Sequence, residues 1–138
     1  MRIVIDTNVV ASGLIFGGKP EQLLELASES GVEMCVSSQI LAEYEEIISR
    51  LSKKYPNHAK SITLKDLTNK ALLVYPTQTV TVCRDPDDNK FIECALEGKC
   101  IYIVSGDADL LDLQSYADVE IVTVTEFFAR YGDQFPDD

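Results

Sequence analysis

Hydrophobic positions along the chain follow two kinds of pattern. Four short β-rich runs stand out: Arg2–Asp6 (RIVID), Glu33–Ser37 (EMCVS), Ile101–Ser105 (IYIVS) and Glu120–Val124 (EIVTV). Three of them hold continuous apolar stretches, not an alternation, which suits strands covered on both faces, as in a parallel sheet. Helical spacing fills the intervals. Ile40, Leu41, Tyr44, Ile47, Ile48 and Leu51 share one face of a predicted helix over Ile40–Leu51. Pro20–Ser30 follows the Gly17-Gly18 breaker and carries Leu23, Leu24, Leu26 and Ala27; Asp88–Glu97 carries Phe91, Ile92, Ala95 and Leu96. Ser61–Leu73 reads as a weaker helix, and Thr125 as the cap of a last helix through Tyr131. Thr79–Val82 reads either as a short edge strand or as a connector. The order β-α-α-β-α-α-α-β-α-β-α predicts an α/β fold: a three-layer sandwich with a mainly parallel central sheet flanked by helices.

Size and composition limit the reading further. The 138 residues suit one domain, read here as 1–131 followed by an acidic tail, 132–138, that frays. At 46% hydrophobic the chain can bury a core, which excludes general disorder. No apolar run approaches the roughly 20 residues needed to span a bilayer. Asp6 interrupts the apolar opening where a signal peptide needs a continuous stretch. A soluble, cytoplasmic protein with no membrane partner is expected. Cys35, Cys83, Cys94 and Cys100 form no C-x-x-C pair, and the single histidine, His58, is remote from them. They read as buried small hydrophobes in a reducing compartment.

In parallel sheets the functional crevice lies outside the carboxyl ends of the strands. Asp6 directly follows RIVI; Ser105, Gly106 and Asp107 directly follow IYIV. Glu43 lies in the second turn of the helix after EMCV, with Glu45 on the other flank of the apolar stripe; periodicity does not decide between the two. Asp88 lies on the inward stripe of its helix, three residues before Phe91. The start of that helix is read as lying at the opposite edge of the sheet. Asp88 is therefore the least well placed of the four, unless the connector Asp85–Asn89 lifts it towards the site. Asp6 and Asp85–Asp88 also have plain readings as helix or turn caps.

As a set the carboxylates say more. Two of them about 4 Å apart repel by roughly 4 kcal/mol at an effective dielectric near 20. A convergent group needs a cation or shared protons. Oxygen ligands without His or Cys point to Mg²⁺ or Mn²⁺ and away from Zn²⁺. An open site of that kind suits phosphodiester hydrolysis.

RIVIDTNVVASGLIFGGKPEQLL, SSQILAEYEEII, RDPDDNKFIECALEGKCIYIVSGDADLL and EIVTVTEFF together resemble the PIN-domain family, more narrowly its bacterial VapC-like branch of toxin–antitoxin ribonucleases. The likeness runs from Arg2 to about Tyr131 and is thinnest over Leu51–Cys83. It implies a metal-dependent endoribonuclease with an RNA substrate, a protein antitoxin as partner and a homodimeric state. By motif match it implies four catalytic carboxylates, Asp6, Glu43, Asp88 and Asp107. The metal would be held by Asp6, Asp88 and Asp107, supported by Asn8, Ser105 and Asp109.

Charge first argues against a nucleic-acid partner: 23 acidic residues face 12 basic ones, a net of -11. The distribution is uneven. Residues 50–70 hold Arg50, Lys53, Lys54, Lys60, Lys65 and Lys70 against Asp66 alone. This segment is a candidate RNA-binding surface through Arg50, Lys53, Lys54 and Lys60, with Tyr55 available for stacking. The alternative is a solvated helix face with snorkelling lysines. A haloacid-dehalogenase-type phosphatase would need a second Asp where Asn8 stands. A receiver-like signalling module would need an acidic pair near Asp6 and a lysine after a late strand. A non-catalytic PIN-fold binding protein is the third alternative.

Overall fold

The computed structural model describes residues 1–29, 31–56 and 62–134. The strands are β1 (Arg2–Ile5), β2 (Glu33–Val36), β3 (Leu72–Leu73), β4 (Tyr102–Val104), β5 (Ser115–Tyr116) and β6 (Val119–Val122). The helices are α1 (Thr7–Ile15), α2 (Gly18–Ser28), α3 (Ser38–Lys54), α4 (Leu64–Lys70), α5 (Asn89–Gly98), α6 (Ala108–Leu111) and α7 (Val124–Gln134), with a 3-10 turn at Pro86–Asp88.

The strands form one sheet in the order β3-β2-β1-β4-β6-β5. β1 pairs in parallel with β2 (Ile3↔Met34) and with β4 (Ile3↔Tyr102, Ile5↔Val104). β4–β6 and β2–β3 are also parallel; only β5 runs antiparallel, against β6. Ile3, Val4 and Ile5 are all buried, so successive side chains of β1 find cover on both faces. That cover is helical: α2 packs with α1, α4 and α7, while α5 packs across β1, β2 and β4. The expected α/β sandwich with a mainly parallel sheet is the observed architecture.

The chain moves outward from β1 to β2 and β3, then returns across the sheet to β4 and continues the other way. β1 and β4 are therefore neighbours at the point where the strand order reverses, where an open α/β sheet forms its crevice.

Local chemistry sets the element boundaries. Ser37 caps α3, its Oγ accepting from Ile40 N at 3.3 Å. Thr63 and Asp66 cap α4 reciprocally. At α7 the cap is Thr123, not the expected Thr125: Thr123 Oγ1 accepts from Glu126 N and Thr123 N donates to Glu126 Oε1. Of the two threonines, only Thr123 has an acidic residue three positions on. The helix expected over Ser61–Leu73 is shorter, because Leu72 and Leu73 leave it to pair with Cys35 and Val36 as β3. Ser61 itself lies outside the described residues, as do residues 135–138 of the expected tail. α7 runs on past Tyr131 to Gln134, into that tail.

Thr79–Val82 is the connector, not a strand. Its backbone is tied to one face of α5. Thr77 N donates to Glu97 Oε1 (3.0 Å), Val80 N to Glu93 Oε2 (3.1 Å), and Val82 N and Cys83 N to Asn89 Oδ1 (3.2 and 3.0 Å). Acceptors at 89, 93 and 97 are one helical turn apart, so the connector runs back along α5 to its start. That start lies at the carboxyl edge of the sheet, which reverses the sequence expectation for Asp88. A helix leading into a parallel strand ends at the amino edge and so begins at the carboxyl edge.

All four cysteines are buried free thiols. No helix among the described residues is long and apolar enough to cross a membrane.

Candidate active site

Asp6 ends β1 and opens α1, and is 4% exposed. Its backbone N–H donates to Val104 O at 2.9 Å, which fixes it against the end of β4. Its Oδ2 accepts from Ser105 Oγ at 2.7 Å. Ser105 is fully buried, and its Oγ also accepts from Asp107 N at 2.9 Å, so one hydroxyl joins the carboxylate after β1 to the loop after β4. The Asp6 side chain makes no cap hydrogen bond to α1, and the Asn8 side chain is exposed. Burial raises the Asp6 pKa above the ordinary carboxylate value. The Ser105 hydrogen bond and the nearby Asn8 backbone N–H oppose that rise, and the nearby charges of Asp107 and Glu43 reinforce it.

Asp88 is 9% exposed in the 3-10 turn that opens α5. Pro86 starts this turn, and Asp85 caps it by accepting from Asp87 N at 3.0 Å. Burial pushes the Asp88 carboxyl up to about 7, helped by the neighbouring Asp107 carboxyl and by the charges of Asp6 and Asp85. Two carboxyl groups this close favour a proton or a cation between them. The other signal is Asp88 Oδ2, which is buried without a hydrogen-bond partner. Asp107 caps α6 through Asp109 N. Oxygens of Asp88, Asp107 and Asp109 all lie within 4.8 Å of one another. Three hard oxygen donors, one of them orphaned, fit a divalent cation of the Mg²⁺ or Mn²⁺ kind.

Asp109 thus stands in the convergent group, and Asp6 stands behind it, linked through Ser105. Asp109 is also held by Arg84, whose guanidinium lies 3.1 Å from Asp109 Oδ1 and 2.8 Å from Asp112 Oδ2.

Glu43 comes to the same edge on α3. Tyr44 beside it is fully buried, and its hydroxyl donates to Ile5 O at the end of β1. Glu43 Oε1 accepts from Thr7 Oγ1, and Glu43 Oε2 lies 2.5 Å from Lys90 Nζ. Sequence reasoning missed Arg84 and Lys90. Lys90 carried a readable signal: a lysine in the first turn of a helix opposes the dipole, so it asks for a carboxylate partner.

Arg50, Lys53 and Lys54 are exposed along the last turns of α3, whose start holds Glu43. Ten residues from Glu43 to Lys53 span about 15 Å of helix, so the basic end sits away from the carboxylates. Tyr55 there meets Phe16 edge-on, with ring centroids 4.9 Å apart, and Lys54 Nζ lies 5.6 Å from its ring. Lys60 lies outside the described residues. Two open grooves flank the acidic centre. One, of about 610 Å³, is lined by Gln39, Glu43, Asp87, Lys90 and Glu93 among others. The other, of about 380 Å³, is lined by Asn8, Ser12, Ser105, Gly106 and Thr125 among others.

The family model described as PIN domain matches residues 2–109, more than half of the chain and all of the acidic centre. The chain belongs to the PIN-domain family. PIN domains are in general nucleases that use divalent metal ions, so membership sets aside the phosphatase and receiver alternatives. The PIN match stops short of β5, β6 and α7. An uncharacterized protein of Methanocaldococcus jannaschii is 40% identical over 119 residues, covering 83% of this PIN protein and 76% of the archaeal one.

Proposed function

We propose that this PIN domain is an Mg²⁺- or Mn²⁺-dependent endoribonuclease that hydrolyses RNA phosphodiester bonds. The observation that carries the reading is the orphaned Asp88 Oδ2 within the Asp88–Asp107–Asp109 group. Asp88 and Asp107 hold the ion, with Asp109 as a further oxygen donor. A divalent ion bound there supplies Lewis acidity to the phosphate and acidifies the attacking water. Asp6, buried and oriented by Ser105, accepts a proton from that water or aligns it. Glu43 organises the groove side through Thr7 and Lys90. The grooves on either side give an RNA strand a path past the carboxylates.

The VapC-like motif order supports a finer reading: a cytoplasmic toxin of a toxin–antitoxin pair, folded as one domain over 1–131. A homodimer and an antitoxin that occludes the cleft belong to the same reading. Arg50, Lys53, Lys54 and Lys60 form its outlying RNA contact.

The test is incubation of the purified protein with structured and unstructured RNA in Mg²⁺, Mn²⁺ or EDTA. Cleavage with metal, none with EDTA, and a loss of at least about 100-fold in Asp6→Asn and Asp107→Asn are expected. Equal cleavage by wild type and both variants would overturn the assignment. No cleavage of any RNA, with intact RNA binding, would favour the non-catalytic PIN-fold reading.

A further inference from the structure

Lys90 is 9% exposed, and its ammonium group has no donor to spare. Nζ lies 2.5 Å from Glu43 Oε2 and 2.9 Å from Asp87 Oδ2, and donates to the Asp87 carbonyl oxygen at 2.9 Å. Three acceptors account for the three N–H groups of a lysine. Glu43 is equally committed, one oxygen to Lys90 and the other to Thr7 Oγ1. At Asp88 the situation is the opposite: its Oδ2 is buried without a hydrogen-bond partner.

Nucleases that use two ions hold them about 3.5–4 Å apart. A second ion here would have to draw on Glu43 and Asp6. It would meet a fixed ammonium already seated on Glu43, which leaves Asp6 as the remaining carboxylate on that side. We propose that Lys90 is the built-in cation of the Glu43 side, so that the site takes one divalent ion, at Asp88, Asp107 and Asp109, where two would otherwise fit. Lys90 is then a positioning residue. Its donors are all used within the protein, so it does not contact the phosphate.

The inference rests on the metal-dependent reading above, and one experiment separates the two. Mn²⁺ is titrated into the full chain and counted by calorimetry and by electron paramagnetic resonance, which detects dipolar broadening between neighbouring ions. Wild type is expected to bind one Mn²⁺ per chain with an unbroadened spectrum, and Lys90→Arg likewise. Lys90→Met, which frees Glu43, is expected to take up a second Mn²⁺ and to show broadening. A lysine that served only to hold the fold together would not create a site when removed. Two coupled ions in wild type, or one in both wild type and folded Lys90→Met, would overturn the inference and leave the metal reading standing. No Mn²⁺ in any variant would overturn both. Should Lys90→Met not fold, Glu43→Gln decides. Mn²⁺ affinity within about threefold of wild type supports Glu43 being no ligand, and a loss above tenfold, as expected for Asp88→Asn, overturns it.

Discussion

Ser105 has no charge and touches no solvent, yet two segments of the site depend on its hydroxyl. It donates to Asp6 and receives the Asp107 N–H, so Ser105→Ala removes a donor from a buried carboxylate and an acceptor from a loop amide. A stability loss of about 1–3 kcal/mol in urea denaturation is expected, with weaker Mn²⁺ binding. An unchanged midpoint would mean the link is idle. Asp88 makes a pH prediction. Its folded pKa, pushed up to about 7 by burial first and by Asp107 second, exceeds the unfolded value of about 3.9. Between those values the folded state holds a proton that the unfolded state has released. Stability of the metal-free protein therefore falls as pH rises from about 4 to about 7, by at least about 1 kcal/mol, and levels off above. Asp6, raised by burial, acts in the same direction. Thermal melts across that range, with and without Mg²⁺, check it: the metal should flatten the slope, and a flat metal-free profile would contradict it.

At the scale of elements, α5 and the connector before it form the support for Asp88. Asn89 receives two backbone N–H groups, of Val82 and Cys83. Asn89→Ala leaves both without that acceptor and should cost about 1–3 kcal/mol while lowering Mn²⁺ affinity. Glu97→Ala removes two exposed bonds from Thr77 at the far end of α5 and should cost under about 1 kcal/mol with affinity unchanged. Equal effects of the two on metal affinity would show that the connector does not support the site. This arrangement also explains what the sequence could and could not convey. Asp6, Ser105 and Asp107 were legible because each directly follows an apolar strand, and strand ends define the crevice. Asp88 was legible as inward-facing and by its motif, but its place at the site was not legible from the pattern, because that depends on which edge α5 starts from, a matter of topology and not of spacing. β3 was hidden because Leu72 and Leu73 continue a helical spacing, and only the partner strand β2 draws them out. Lys90 sat among acidic neighbours as one more surface charge until the fold brought Glu43 to it.

For the molecule as a whole, the net charge of -11 and the separation of the basic end of α3 from the carboxylates frame how RNA is met. Simultaneous replacement of Lys53, Lys54 and Lys60 by alanine is expected to weaken RNA affinity and to reduce the slope of log affinity against log salt by about one to three. Cleavage of a short oligonucleotide that reaches only the acidic centre should change little. If affinity for long RNA and its salt slope stayed constant, the basic end would be a solvated helix face. The two ends of the sheet bear on assembly. β3 and β5 are two residues long, and the connector following β3 has amide hydrogens of Thr77, Val80, Val82 and Cys83 committed to α5. Among the described residues neither border offers a length of open backbone on which another strand could be templated. Two copies of this chain that met through the described residues would do so without extending the sheet, which would end where each molecule ends.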